Sequence, residues 1–152
     1  MTTIQKEIEI ELPLSTVYNQ WTQFEEFPRF MEGVLEVRQL GDDRLYWRAE
    51  VAGVTKEWYA KILQQVPDEV IAWYSESGAD TGGEVTFAPL GEGRTKVSLT
   101  MTYEPEDLAE TVGDKLGFLT RRVEGDLERF KEFTELHGQE TGGWRGSIGR
   151  GP

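Results

Sequence analysis

Reactive chemistry needs side chains that ionise, coordinate a metal or attack a substrate, and this 152-residue sequence offers few. It contains no cysteine, which removes disulfides, thiolate metal sites and a cysteine nucleophile. Its single histidine, His137, rules out an all-histidine metal site and would leave Ser–His–Asp chemistry resting on one residue beside a glycine-rich tail. No carboxylate cluster has the spacing of a calcium loop, and Gly91-Glu92-Gly93-Arg94 is short and acidic, unlike a phosphate loop. Neither a metal nor a cofactor is expected. Tyr103, Gln64 and Ser75 are the polar groups that strand alternation turns inward, and Tyr103 is the best candidate proton donor among them. Asp126 borders a helix seam, where an edge salt bridge with Arg122 or Arg129 is the expected role. What the chain has in quantity is flat aromatic surface: 5 Trp, 5 Tyr and 7 Phe.

Charge excludes further classes. Asp and Glu total 28 against 16 Lys and Arg, a net charge of −12. Such a surface repels phosphate backbones and anionic headgroups, so association with nucleic acid or membrane driven by charge is not expected. Acidity of this kind serves solubility first, and docking of a protein partner second. The opening run Met1-Thr2-Thr3-Ile4-Gln5-Lys6-Glu7 lacks the order of a secretory signal, and no window approaches 18 apolar residues. The expected compartment is the cytoplasm.

A series of strands must position the aromatics. Ile4, Lys6, Ile8, Ile10 and Leu12 alternate with Gln5, Glu7, Glu9 and Glu11, the period of a strand with one wet face. Pro13 ends it, and Ser15 is placed to cap a short helix carrying Val17 and Trp21. A second short helix is predicted near Phe27 or Pro28. Turn signals then divide a six-stranded meander at 34–40, 44–51, 54–66, 69–77, 83–89 and 94–103. Leu45, Trp47, Ala49 and Val51 share a face, as do Trp58, Ala60 and Ile62, then Val85 and Phe87, then Val97, Leu99, Met101 and Tyr103. Arg48, Glu50, Glu57, Tyr59 and Lys61 face outward. The phase of the fifth strand is ambiguous, and the Ile71/Trp73 side is taken as inner.

Asp107 with Glu110 has the form of a capping box opening a long helix to about Leu136, in which Leu108, Val112, Leu116, Leu119, Val123, Leu127 and Phe130 form one stripe. His137 falls in its last turn, where a cation suits the helix dipole. Residues 1–137 are read as one domain. Residues 138–152, with six glycines and only Trp144 and Ile148 as large apolar groups, are read as a mobile tail whose removal leaves stability nearly unchanged.

This order of elements, together with the runs Leu14 to Met31, Gly125-Asp126-Leu127-Glu128-Arg129-Phe130-Lys131 and Glu140 to Gly146, resembles the bacterial SRPBCC superfamily in its polyketide cyclase/dehydrase-type branch. START-type lipid-binding domains and the birch-pollen allergen family share that architecture. The resemblance implies an α+β helix-grip fold. Its seven-stranded antiparallel sheet carries two short helices after the first strand and a long C-terminal helix across the concave face. It also implies a cavity between sheet and helix, which the inward set would line: Trp47, Trp58, Trp73, Phe87, Met101 and Tyr103 with Leu116 and Leu119. The same residues could equally fill the core. The function expected is binding or carriage of a small hydrophobic ligand such as a lipid, quinone or polyketide-like molecule. Two alternatives stand beside it: a cyclase or dehydratase acting on such a molecule, and a protein-interaction module using the acidic surface or the Trp144 tail.

Overall fold

Each alternating run becomes a strand. The structure, a computed structural model, describes residues 2–31, 33–41, 43–51, 53–77, 81–103, 114–138, 141–143, 146 and 148, with side chains for all of these except 2, 51, 77, 81, 103 and 114–119. The elements are β1 (Thr2–Ile10), α1 (Leu14–Trp21), a 3-10 helix (Phe24–Arg29), β2 (Val34–Gln39), β3 (Arg44–Val51), β4 (Val54–Val66), β5 (Val70–Ser77), β6 (Thr81–Gly91), β7 (Arg94–Tyr103) and α2 (Asp114–His137). The strands form one antiparallel sheet in the order β1-β7-β6-β5-β4-β3-β2. β2 to β7 are joined by consecutive hairpins, and only β1 pairs across the length of the chain. With α2 against the curled sheet, this is the helix-grip α+β fold that the sequence implies.

The segment after α1 shows how residue spacing selects its structure. Phe24, Phe27 and Phe30 are three residues apart, and in a 3-10 helix, with three residues per turn, such positions eclipse one another. All three are buried, with ring centroids 5.5 Å apart for Phe24–Phe27 and 5.6 Å for Phe27–Phe30. Pro28 sits inside this turn, between backbone bonds from Glu26 N to Gln23 O and from Phe30 N to Phe27 O. Arg129 of α2 ties the segment down by donating from Nε to Phe30 O at 2.8 Å.

The core runs across the concave face, with Val37, Leu45, Ile62 and Ile71 contributed by β2 to β5. Ile4, Ile10, Val85, Phe87, Val97 and Leu99 rise from β1, β6 and β7 to meet Val17, Tyr18 and Trp21 of α1 and Val123, Leu127 and Phe130 of α2, all buried. Phe130 lies at the centre, 4.8 Å from Trp21 and 5.2 Å from Phe30 between centroids. Burying side chains of this size contributes about 1.5–3 kcal/mol each. β1 and α2 are tied by an ion pair between Lys6 and Glu124 at 3.2 Å and by a hydrogen bond from Lys131 Nζ to the backbone carbonyl Glu9 O at 2.9 Å.

Several sequence expectations change here. Ser15 does not cap α1: Pro13 occupies the cap position in extended conformation, and no side chain closes the first turn. Gln64 does not face inward. The pairs Ile62↔Trp73, Gln64↔Ala72 and Gln65↔Ile71 carry a bulge, which reverses the alternation and turns Gln65 into the core instead. The ambiguity on β5 resolves toward Ile71 and Ser75, both buried, so Trp73 between them shares the inward face. The capping box at Asp107 and the stripe positions Leu108 and Val112 lie outside the described residues.

The glycine-rich segment touches the domain at Thr141, Gly142, Gly143 and Ile148. Thr141 N donates to Gln20 Oε1 at 2.8 Å, while Gln20 Nε2 donates to Thr141 Oγ1 at 3.1 Å. Ile148 forms an antiparallel bridge with Gln65, with both backbone bonds at 2.9 Å, and packs against the core. Trp144 lies outside the described residues.

Candidate functional site

On β3, β4 and β5 the inward face carries three indoles beside the core residues Leu45, Ile62 and Ile71. In an antiparallel sheet directly opposed residues point to the same side. The pair Trp47↔Trp58 therefore places two indoles side by side, and their rings stack at 5.8 Å with an interplanar angle of 5°. Phe27 of the 3-10 helix approaches Trp47 from above, centroid to centroid 5.7 Å. Of the inward positions around the stack, Ala49 on β3 and Ala60 on β4, opposite both Leu45 and Ser75, are small, while Val37 opposite Trp47 and Leu45 on β3 are larger and buried. Ala49, Ala60 and Ser75 are buried, whereas Trp47, Trp58 and Trp73 remain partly accessible. Large flat residues that border short ones, and keep part of their own surface free, form a shallow aromatic floor.

Trp73 owes its position to a missing side chain. It pairs with Gly83, which pairs in turn with Met101. A Cβ on Gly83 would lie 2.5 Å from Trp73 Cζ2 and 3.0 Å from Met101 Sδ, so the indole lies over β6 only because residue 83 is glycine. Gly33, at φ 86°, makes similar room at the edge of the sheet, where the Arg122 guanidinium of α2 rests against the turn before β2.

The predicted lining residues thus separate. Trp47 and Trp58 are in ring contact, and Trp73 and Met101 meet over Gly83. Phe87 lies apart from them in the packed core, 5.3 Å from Tyr18 and 6.3 Å from Trp21 between ring centroids. Tyr103 is the register partner of Thr2 and Thr81, at the end of β7, and its side chain lies outside the described residues. Leu116 and Leu119 lie in the first turns of α2, their side chains likewise outside the described residues. Ser75 is inward and buried as expected.

Other polar candidates have structural work. Asp126 accepts from Arg129 Nη2 at 2.6 Å, the edge pair that the sequence suggests. His137 Nδ1 lies 2.7 Å from Phe133 O in the last turn of α2. On the outer face Tyr46 Oη donates to Glu57 Oε2 at 2.7 Å, and that hydrogen bond holds the phenol above its ordinary pKa.

Sequence reasoning passed over two inward residues. Lys56 is one: it opposes Ala49, and the burial of β4 alternates with Lys56, Trp58, Ala60 and Ile62 on the covered side. The period-two pattern that identified Trp58 already contained it. Gln65 is the other, its Nε2 donating to Tyr18 Oη at 3.2 Å, and its inward position depends on a bulge without a local sequence signature.

Comparison with known proteins agrees with this architecture. An uncharacterized 17.2 kDa protein of Streptomyces lincolnensis is 50% identical over 149 residues, covering 97% of this chain and 99% of that one. The crystal structure of a Deinococcus radiodurans protein, DR_A0006, superposes with a TM-score of 0.70 at 28% identity over 90% of this chain and 99% of that one. The Zhui aromatase/cyclase from Streptomyces sp. R1128 shares the fold, with a TM-score of 0.75 at 17% identity over 94% of this chain and 99% of that one. No helix among the described residues is long and apolar enough to cross a membrane. Residues 10–132 match the family described as polyketide cyclase/dehydrase and lipid transport. That match spans most of the seven-stranded sheet and much of α2, and on it the chain belongs to this family, whose members serve ligand binding or cyclisation.

Proposed function

We propose that the protein binds a small hydrophobic ligand of lipid, quinone or polyketide type between the concave face and α2. The observation that carries this reading is the stacked, partly accessible Trp47–Trp58 pair beside Ala49, Ala60 and Ser75. Indoles left partly uncovered favour a flat apolar partner, whose arrival removes both surfaces from water. Turnover would also need an acid or base within reach of the ligand. The described inward side chains here are dominated by rings and small residues, which favour holding a molecule over converting it.

Native mass spectrometry of the protein purified from its own source tests the reading, with a retained small molecule as the expected result. In parallel, N-phenyl-1-naphthylamine, a neutral apolar fluorophore, should quench tryptophan emission saturably. Trp58→Ala should weaken its binding by roughly five-fold or more while the melting transition is retained, since that indole is only partly covered. The absence of both a retained molecule and saturable quenching would overturn the proposal.

A further inference from the structure

Two lysines occupy inward strand positions, and only one has a carboxylate. Lys6 on β1 is paired with Glu124 of α2 at 3.2 Å. Lys56 on β4 is half-buried, faces the side of the sheet that carries Trp58 and Ala60, and makes no ion pair among the described residues. Its cross-strand partner is Ala49, whose methyl leaves space beside the ammonium stem. An inward cation without a counter-ion is unexpected in a chain of net charge −12, where carboxylates outnumber lysines and arginines by 28 to 16.

A second observation points to the same place. Trp47 lies two residues before Ala49 on the same face, which makes it the diagonal neighbour of Lys56. Its indole Nε1 is buried, with no hydrogen-bond acceptor among the described residues. A buried donor left unpaired is costly, and such a group usually has an explanation. A lysine and an unpaired N–H donor therefore stand at diagonal positions of one sheet face, and an oxygen that accepts would satisfy both, the cation favouring a negatively charged one.

We propose that the ligand is an aromatic or polycyclic carboxylate, its rings on the Trp47–Trp58 stack and its carboxylate on Lys56, with the Trp47 N–H as second donor. This rests on the ligand-binding reading above. A single carboxylate charge matches one ammonium, whereas a phosphate ester brings up to two charges to the same cation and carries a larger desolvation cost. The proposal turns a general apolar surface into one with a polar end, so the ligand would enter in one orientation.

The test compares two probes of one shape, 2-naphthoate and uncharged 2-acetylnaphthalene, titrated calorimetrically into the whole protein at low salt. Wild type should bind 2-naphthoate roughly five-fold more tightly, and the preference should shrink as ionic strength rises. Lys56→Met should abolish the preference while leaving 2-acetylnaphthalene affinity within about two-fold, and Lys56→Arg should restore it. Because Lys56 is half-exposed, both variants should melt as wild type does. Equal affinities for the two probes in wild type, or a preference that survives Lys56→Met, would overturn the inference and leave the ligand-binding reading standing. If neither probe binds wild type, the inference falls, and the ligand-binding reading is decided by the fluorophore titration and the native mass spectrum.

Discussion

Replacing Gly83 by alanine puts the argument for the aromatic floor at risk in a measurable way. A methyl group there would sit 2.5 Å from Trp73 Cζ2, 2.9 Å from Cε2 and 3.0 Å from Met101 Sδ. Ordinary carbon contacts lie at about 3.5–4.0 Å, so the overlap with the indole is about 1 Å. Gly83 is not among the glycines of positive φ, so alanine meets no backbone penalty and the contest is one of packing. Removing a glycine stiffens the unfolded chain and stabilises by about 0.4–1 kcal/mol. Overpacking costs about 1–3 kcal/mol, and the atoms met are ring carbons of a rigid indole, which can yield only by turning as a unit. The net expectation is destabilisation by about 0–2.6 kcal/mol, centred at about 1.3 kcal/mol, the difference between those two ranges. Urea denaturation followed by tryptophan emission measures it as a lowered midpoint at unchanged slope. The mechanism has its own check: in a Trp73→Leu background the added methyl should become neutral or stabilising, a coupling of about 1 kcal/mol or more. A midpoint at or above wild type, or additive effects in the double variant, would refute the claim that residue 83 makes room for Trp73.

Other perturbations probe the rest of the molecule. Phe130→Ala, which removes a fully buried ring packed on Trp21 and Phe30, should cost about 3–5 kcal/mol in the same urea titration. Deleting residues 139–152 should lower the melting temperature by several degrees, because it strips the Ile148 bridge from Gln65 and the Thr141 bonds from buried Gln20. An unchanged melt would restore the sequence-based view of that segment. Glu135 offers a pH test: burial pushes its carboxyl upward, but the Glu11 N–H at 2.8 Å and Lys131 Nζ at 2.7 Å outweigh it, and its pKa is lowered. A depressed carboxyl contributes stability above its unfolded value, near 4.3, and loses it as pH falls through the folded value. Glu135→Gln should therefore melt below wild type at neutral pH, with the gap closing in acid.

The strand plan, the inward sides of Trp47, Trp58, Trp73 and Phe87 and the stripe from Val123 to Phe130 are legible in the chain because period-two and helical alternation are local: each residue's side follows from its neighbours along the backbone. The same alternation contains Lys56, which needed only to be counted with Trp58 and Ala60. The Phe24, Phe27, Phe30 spacing likewise announces a three-residue turn. What depends on two distant segments meeting could not be read this way. The bulge that exchanges Gln64 for Gln65 is a register shift between β4 and β5, fixed by how two strands settle against the core. Gly83 looks like turn composition until Trp73 and Met101 are placed on either side of it. The glycine-rich segment reads as unanchored because its own composition offers little to bury, yet Ile148 finds a strand and Thr141 a buried glutamine, contacts 83 and 121 residues away in sequence. Local pattern decides which face a residue takes; only the assembled sheet decides what meets it there, because packing partners are chosen by proximity in space and not along the chain.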